Sequence, residues 1–310
     1  MMKIEIAPML DLTDRHFRFF LRKITKKSLF YSEMIAEQAI LKGNREHLLS
    51  FSEEEKPLAL QLGGSTPEMM AECAHIGETY GYSEININAG CPSTRVESGR
   101  FGACLMRKPD TIAKVVLAIK ERTSLPITLK TRLGLIGDDI DYTLPAFIET
   151  IAEAGVKKFI IHARFAQIGK LSPKENRTKL PLYPEKVFEI KQKYPELEII
   201  FNGEITSILQ IQELVGKTDG VMIGRAAYTN PYFLSEIDRI FYGETKLIPS
   251  RKEIAYTMMD YLDLQKERAP HLFRHLMGLY YGTEVAKIWR STLMSKNTNE
   301  VRRTLDGFLF

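Results

Sequence analysis

Polar side chains that could do chemistry stand near the ends of five short apolar segments. They are Gln61, Asn88, Lys130, His162 and Asn202. Side chains alternate between the two faces of a strand, so each of these residues lies opposite the face that would pack against helices. One of them alone would be an ordinary polar group at a rim. Five together predict an active site, because burying polar groups that have no role is costly.

The chemistry of Lys130 is open to two interpretations. Its amine could form a Schiff base, as in barrel aldolases, or it could stay cationic and stabilise negative charge on a reduced flavin near N1. Gln61, His162 and Asn202 would suit the edge of a flat ring that forms hydrogen bonds. These residues alone favour neither interpretation over the other.

Cys91 favours the flavin. It follows a predicted strand directly, in the sequence Asn88-Ala89-Gly90-Cys91-Pro92. An ordinary thiol has a pKa of about 8.5 and is mostly protonated at pH 7, so it can donate a proton to carbon. A flavin hydride and a proton-donating thiol together reduce an activated C=C bond. Cys73 and Cys104 are expected to be structural.

Eight apolar runs, alternating with amphipathic stretches, must position these residues. The runs cover residues 4–9, 29–34, 57–63, 84–90, 126–134, 157–164, 198–204 and 220–225. This alternation predicts βαβ units, a parallel sheet and an α/β fold, which we interpret as a (β/α)8 TIM barrel. The alternative, a doubly wound sheet, is weakened because no GxGxxG motif follows the first strand.

The carboxyl ends of barrel strands meet at one face. The five polar side chains would therefore line one cup there. Gly224-Arg225, at the end of the last predicted strand, adds a candidate phosphate site beside them, because glycine lets the backbone approach an anion closely.

A small helical domain is predicted after the barrel. The strand pattern ends after Asn230-Pro231, and residues 251–268, 270–281 and 283–295 have helical patterns. The two domains would cover residues 1–240 and 246–310. From Lys246 onward the chain carries 11 Lys and Arg against 7 Asp and Glu, whereas the rest is balanced. A solvated helical surface explains this excess best, and it hints only mildly at a polyanionic partner.

The composition is that of an ordinary globular protein. The 310 residues are 44% hydrophobic and 26% charged, with a net charge of +4, which argues against disorder or a disulfide-rich scaffold. No apolar run approaches the ~20 residues that span a bilayer, and no signal peptide is expected. The three cysteines lack CxxC spacing, and His271 and His275 have no third ligand nearby, so no metal is expected. We expect a cytoplasmic protein.

Several motifs resemble, in order and spacing, those of the tRNA-dihydrouridine synthases. The matching segments are residues 7–11, 61–64, 87–92, 102–106, 130–132, 161–164, 202–203 and 224–225, and the match runs from about Ile4 to beyond Trp289. The Asn-x-Gly-Cys-Pro element at 88–92 is highly specific. Residues 13–16 and 171–177 resemble the bacterial A-type subfamily, the tRNA-dihydrouridine(20/20a) synthases.

The resemblance implies a bound FMN, NADPH as reductant and a tRNA substrate. The reaction would reduce the C5=C6 bond of D-loop uridines (20/20a) to 5,6-dihydrouridine. Hydride would pass from flavin N5 to C6, and a proton from Cys91 to C5. The target base would be flipped out of the folded RNA. We expect a monomer that needs neither a metal nor a membrane.

The resemblance also assigns roles to individual residues. Pro8, Met9 and Leu10 would contact the flavin ring, and Gln61, Lys130 and His162 would form hydrogen bonds with it. The ribityl phosphate would be held by Asn202, Gly203, Glu204, Gly224 and Arg225. RNA would be contacted by Asn88, Lys174, Arg177 and Arg290. Glu204 departs from the A-type pattern, which usually has Gly there, and we expect little effect on FMN binding.

Two other functions compete with this interpretation. A flavin barrel that acts on a free pyrimidine, such as a dihydroorotate or dihydropyrimidine dehydrogenase, would share the cup without needing the basic tail. An RNA-binding protein or chaperone without chemistry would not need Cys91, Lys130 and His162.

Overall fold

Nine parallel strands form one closed sheet in the computed structural model, which describes residues 2–265 and 269–308. The strands are β1 (Lys3–Ile6), β2 (Leu29–Tyr31), β3 (Ile35–Ala36), β4 (Leu58–Gly63), β5 (Glu84–Ala89), β6 (Ile127–Arg132), β7 (Lys158–His162), β8 (Glu198–Asn202) and β9 (Gly220–Ile223). β1 pairs with β9 and β2 with β4, so eight strands close a ring, and β3 adds a short pairing to β4. The eight predicted strands and the TIM barrel are confirmed.

Helices follow most of the strands and cover the outside of the barrel. They are α1 (Arg15–Ile24), α2 (Glu37–Lys42), α3 (Arg45–Leu49), α4 (Pro67–Thr79), α5 (Thr94–Ser98), α6 (Pro109–Lys120), α7 (Ile140–Ala154), α8 (Glu175–Thr178), α9 (Pro184–Lys193), α10 (Ile208–Glu213), α11 (Arg225–Thr229) and α12 (Ile237–Tyr242). Pro67, Pro109 and Pro184 begin their helices, where a missing N–H costs nothing. The main apolar core lies between these helices and the strands.

The inside of the barrel is apolar on one side and polar on the other. Ile160, Ile200 and Met222, on β7, β8 and β9, form a buried apolar cluster with Ala7, Tyr31 and Ala59. On β4, β5 and β6 the buried inward positions instead hold Gln61, Asn86 and Thr128, joined by hydrogen bonds. A continuous row of polar side chains therefore runs from the cup down β4, β5 and β6, and at the floor Glu5 of β1 and Lys158 of β7 form an ion pair.

The chain beyond the barrel is helical, as predicted, with different bounds. Its helices are α13 (Arg251–Gln265), α14 (Ala269–Leu272), α15 (Ala286–Leu293) and α16 (Thr298–Asp306). Residues 266–268 of the first predicted helix lie outside the described residues. The predicted helix over 283–295 is shorter, and α16 was not predicted.

The prediction of one continuous helix over 270–281 is wrong. After α14 the chain forms a 3-10 turn at Phe273–Leu276 and further tight turns. Two side chains from other helices donate to carbonyls in this segment. The Trp289 indole donates to the Leu276 carbonyl at 2.8 Å, and Arg251 donates to the Leu279 carbonyl at 2.9 Å.

Helix α1 connects the barrel to the tail, which comprises helices α13 to α16. Phe19 stacks on Tyr261 of α13, with ring centroids 4.1 Å apart, and His16 Nδ1 lies 2.6 Å from the Tyr261 hydroxyl. The Asp14 carboxylate caps α1 and lies 3.0 Å from Nε2 of the buried His275. His275 is therefore a packing residue that joins the two parts.

We predict that Asp14→Asn lowers the free energy of unfolding by about 1 kcal/mol, because the amide keeps the helix cap but loses the charge beside His275. Burial alone would raise the pKa of Asp14, but the hydrogen bond and charge of His275 outweigh it and the pKa lies below the usual 3.8. A carboxyl with a lowered folded pKa stabilises the protein above its unfolded pKa and loses that effect as the pH falls. Urea unfolding should show the difference at neutral pH and a smaller one below about pH 4. An equal difference at both would contradict this account.

Candidate active site

The carboxyl ends of the strands bring the predicted polar side chains together on one rim. Asn88 is paired in register with Lys130, Arg132 with His162, and His162 with Asn202. The Lys130 ammonium donates to Asn202 Oδ1 at 2.8 Å, and the Asn202 amide donates to a backbone carbonyl of β9. These side chains are direct neighbours and form the cup.

Cys91 is held at the lip of the cup by its backbone. Asn88 Oδ1 accepts hydrogen bonds from the N–H groups of Gly90 at 3.2 Å and Cys91 at 3.0 Å. The Cys91 carbonyl accepts one from the Ala103 N–H at 2.9 Å. A Cβ on Gly102 would lie 2.6 Å from that carbonyl, and its φ is +78°, so this position requires glycine. Asn88 thus positions the half-buried Cys91, a role beyond the RNA contact predicted for it.

Cationic side chains surround the Cys91 thiol. Three of them lie close enough to Cys91 to interact with it electrostatically: Lys130, Arg132 and Arg177. Arg132 is buried, and it donates to the Gly90 carbonyl at 3.0 Å and to a carbonyl in the loop after β7 at 2.7 Å. It therefore ties the Cys91 loop to its neighbour. The predicted site omitted Arg132, although its spacing of two from Lys130 places it on the same face of β6.

Burial and positively charged neighbours disfavour additional positive charge in the cup. Burial, together with the charge of Arg132, lowers the pKa of Lys130 from 10.5 to about 7. Burial and the charges of Arg132 and Lys130 lower the pKa of His162 well below 6.5, so its ring is neutral at pH 7. Burial lowers the pKa of Arg132 only to about 10, and it stays charged. An anion in the cup would relieve this repulsion.

The loop between β7 and α9 forms one wall of the cup. Asn176 is fully buried there, accepts a hydrogen bond from the Gln167 N–H at 2.7 Å and donates to the Leu171 carbonyl at 2.9 Å. Arg177 follows it, and its Nε is buried without a hydrogen-bond partner among the described residues. Lys174 is exposed. Asn176 was not singled out from the sequence, although it stands within the motif at 171–177.

Glu204 departs from the A-type pattern at a position whose backbone favours glycine. Its φ is +50°, in the left-handed region. Its carboxylate accepts a hydrogen bond from the buried Arg164 at 2.6 Å, and Arg164 also donates to the Leu180 carbonyl at 2.8 Å. The salt bridge holds the residue in this conformation. Beside it, Gly203 packs closely, since a Cβ there would meet Leu182 at 2.6 Å.

Open space lies at the end of β9. A Cβ on Gly224 would meet no heavy atom within 4 Å, and Arg225, the first residue of α11, is exposed. Burial and the nearby charge of Arg225 lower the pKa of Arg177. The two arginines therefore lie near each other, where an anion would be stabilised.

The loop after β1 forms another part of the lip. The Met9 N–H donates to Thr13 Oγ1 at 2.9 Å, and the Met9 carbonyl accepts from the Thr13 N–H at 2.9 Å. Met9 packs on the apolar cluster inside the barrel, Pro8 is half-buried, and the Leu10 side chain is 67% exposed. These apolar groups are available to a flat ligand.

Other residues lie outside the cup. Arg290 is exposed on α15, whereas Lys174 is exposed on the loop that forms one wall of the cup, where its carbonyl accepts from the Arg177 N–H at 3.0 Å. Cys73 is buried, and burial raises its pKa to about 12, whereas Cys104 donates to the Phe101 carbonyl. Within residues 2–265 and 269–308, no group of three acidic, Cys or His side chains could hold a metal, and no helix is long and apolar enough to cross a membrane.

The fold and the cup define a TIM-barrel enzyme whose rim combines one thiol with clustered cations. A family model described as dihydrouridine synthase matches residues 5–306. The chain belongs to the dihydrouridine synthase family, as its motifs predicted.

Named relatives cover nearly the whole chain. It is similar to the tRNA-dihydrouridine(20/20a) synthase of Synechocystis sp., with 50% identity over 293 residues, 94% of this chain and 88% of that protein. The enzyme of the same name from Shewanella oneidensis is 45% identical over 298 residues, covering 95% and 88%. Among solved structures, morphinone reductase is similar with a TM-score of 0.55 and 13% identity over 80% of this chain and 87% of that one. That likeness shows a shared fold alone.

We predict that Lys130→Met stabilises the ligand-free protein at pH 7 by about 1 kcal/mol or more, because it removes an amine whose folded pKa is about 7 against 10.5 when exposed. Between those values the unfolded chain binds more protons than the folded one, so the wild type gains stability as the pH rises. The advantage of the variant should shrink toward about pH 10. Thermal unfolding at both pH values tests this, with the exposed Lys114→Met as control. A variant less stable than the wild type at pH 7 would refute it.

Proposed function

We propose that this chain is an FMN-dependent, NADPH-driven enzyme that reduces the C5=C6 bond of D-loop uridines (20/20a) in tRNA to 5,6-dihydrouridine. One observation carries the proposal. Asn88 holds the Cys91 backbone at the lip of a cup where Lys130, Arg132 and Arg177 are the charged neighbours of the thiol. Relatives that are 50% and 45% identical over 94% and 95% of this chain are tRNA-dihydrouridine(20/20a) synthases.

The rim of the cup fits the phosphate of FMN. The Arg177 Nε is a buried donor without a partner, and Gly224 leaves open space beside the exposed Arg225. A dianion placed there would gain charge-assisted hydrogen bonds. We assign the phosphate to this space, together with Asn202, Gly203 and Glu204. The Glu204 carboxylate is taken up by Arg164, so it does not repel the anion as a free acid would.

The floor and lip of the cup suit the flavin ring. Gln61, Lys130 and His162 would form hydrogen bonds to its edge, and Pro8, Met9 and Leu10 would pack on it. Lys130 has a pKa of about 7 in the ligand-free protein. Negative charge beside it would raise that pKa, so the amine would take up a proton and stabilise the charge.

Reduction of the C5=C6 bond needs a hydride at C6 and a proton at C5. Bound FMN, reduced by NADPH, supplies the hydride. Cys91 Sγ donates the proton to C5, and Arg132 and Arg177 lie near the sulfur that remains. His162 is neutral and can orient the base through a hydrogen bond without adding charge.

The target uridine must leave the RNA stack to reach the cup. We assign residues 1–240 to the FMN-binding barrel and residues 246–310 to tRNA binding. Lys174, Arg177 and Arg290 would supply contacts that position the RNA, and Asn88 would meet the flipped base. In this proposal the enzyme acts as a cytoplasmic monomer.

We predict that Cys91→Ala lowers dihydrouridine formation by at least about 100-fold, because the general acid is lost, while FMN stays bound. Dihydrouridine is measured by mass spectrometry of nucleosides from tRNA incubated with NADPH, and FMN from the visible spectrum. Cys104→Ala is the matched control and should keep its activity.

The wild-type spectrum, recorded without air, separates the competing functions. The flavin band should bleach with NADPH and return when tRNA is added. A return with free uracil or orotate but not with tRNA would favour a free-pyrimidine enzyme. A protein that stays colourless when supplied with FMN would overturn the proposal and favour a Schiff base at Lys130. Normal dihydrouridine formation by Cys91→Ala would refute the acid assignment.

We predict that Arg290→Glu weakens tRNA binding by about tenfold at low salt, because it replaces a phosphate contact with a repulsive charge. The loss should shrink at high salt, and bound FMN should be unchanged. Filter binding over a salt series measures this. Lys114→Glu, which makes the same charge change on α6, is the control. Equal affinities for Arg290→Glu and the wild type at all salt concentrations would contradict the assignment.

A further inference from the structure

A row of directed hydrogen bonds runs along the polar wall of the barrel, from its floor to the cup. Asn88 Nδ2 donates to Gln61 Oε1 at 3.0 Å, and Gln61 Nε2 donates to Asn86 Oδ1 at 2.7 Å. Asn86 Nδ2 donates to Thr128 Oγ1 at 2.8 Å, and the Thr128 hydroxyl donates to Glu84 Oε1 at 2.7 Å. All five side chains are buried. Each amide therefore has its oxygen and its nitrogen committed to different neighbours.

Glu84 sets the direction at the floor. Thr128 and the Lys158 ammonium, at 2.7 Å and 2.6 Å, donate to its carboxylate, and the Tyr31 hydroxyl shares its one proton between Glu84 Oε1 at 3.0 Å and Glu5 Oε2 at 2.9 Å. The Thr128 hydroxyl donates its one proton downward to Glu84, which leaves its oxygen free to accept from Asn86.

The direction then passes upward one amide at a time. With the Asn86 nitrogen on Thr128, its oxygen faces Gln61, and Gln61 must present its nitrogen downward and its oxygen to Asn88. Asn88 in turn gives its nitrogen to Gln61, so its oxygen accepts the N–H of Cys91. The carboxylate at the floor and the N–H at the lip require the same order, and no other arrangement of the three amides satisfies both ends.

We propose that Thr128 is a positioning residue for the cup. Through Asn86 it helps to hold Gln61 and Asn88 in the one orientation that satisfies both ends of the row. The part that concerns Gln61 and the flavin rests on the proposed function, whereas the part that concerns Asn88 and Cys91 rests on the chain alone.

Removing the hydroxyl has a defined consequence. Thr128→Val keeps the shape but leaves the buried Asn86 nitrogen without an acceptor. A buried donor without a partner is costly, so the Asn86 side chain shifts, and the hydrogen bonds from Asn86 to Gln61 and from Gln61 to Asn88 weaken. The amides keep their order, because turning Asn88 would place its NH2 group against the N–H of Cys91. Asn88 is then held less firmly, and the loop that carries the thiol loosens.

The experiment compares Thr128→Val with Thr128→Ser, which keeps the hydroxyl, and Thr131→Val. Thr131 lies on the opposite face of the same strand, is also buried and donates to the Arg132 carbonyl, so it controls for losing one buried hydroxyl. In FMN-free protein, iodoacetamide labelling of the Cys91 peptide is followed by mass spectrometry. In FMN-loaded protein, the dissociation constant and the visible band of the flavin are measured.

For Thr128→Val we expect Cys91 labelling about fivefold faster and FMN binding about tenfold weaker with a shifted visible band, because the hydrogen bonds that hold Gln61 and Asn88 are weakened. Thr128→Ser should restore both, and Thr131→Val should resemble the wild type although it too loses stability. A purely structural role would lower the stability of both valine variants and leave labelling rate and flavin band unchanged.

The two proposals fail differently. Wild-type protein that binds no FMN would overturn the proposed function, and the labelling rates would still decide the role of Thr128. Wild-type protein that binds FMN, with labelling and flavin band unchanged in Thr128→Val, would overturn the positioning role alone.

Discussion

Closing a parallel barrel places the carboxyl end of every strand on one rim, and here that rim gathers positive charge. Four cationic side chains lie around the cup: Lys130, Arg132, Arg164 and Arg177. The Glu204 carboxylate forms a salt bridge with one of them, Arg164. Buried charges normally need charged partners. Arg132 is instead satisfied by backbone carbonyls, which are dipoles and leave its net charge in place. The side chains of the rim are therefore held in place while the rim stays positively charged. An anionic ligand would be attracted by this remaining charge.

Two sets of side chains inside the barrel have different roles: one contributes stability and the other orients the residues of the cup. Ile160, Ile200 and Met222 fill one half and contribute apolar burial. The other half gives up apolar contacts for a row of amides whose hydrogen bonds have one consistent direction. A fully satisfied polar network of this kind favours one arrangement strongly, because every alternative leaves a buried group unpaired. The apolar half thus provides the stability that the polar half requires to hold its side chains in order.

The sequence predicts what depends on periodicity and misses what depends on distant partners. Alternation along each strand placed Gln61, Lys130 and His162 on inward faces, and eight apolar runs sufficed for the barrel. The same alternation places Asn86 and Thr128 inward, but the direction of their hydrogen bonds depends on Glu84 and Lys158, from other strands. The segment 270–281, predicted as one helix, likewise has partners that periodicity does not show, since Trp289 and Arg251 donate to its carbonyls. Glu204 looks like a simple exchange for glycine until its φ and its partner Arg164 are known.

The link between the tail and the cup is another feature that periodicity could not provide. Thr13 fixes Met9 at the lip, and the next residue, Asp14, pairs with His275 across the boundary to the tail, 261 positions away. Two adjacent residues therefore connect a proposed flavin contact to the helices proposed to bind RNA. Both bonds start from one short segment at the N-terminus of α1, so one of the contacts that hold the tail on the barrel lies directly beside the loop that carries Met9.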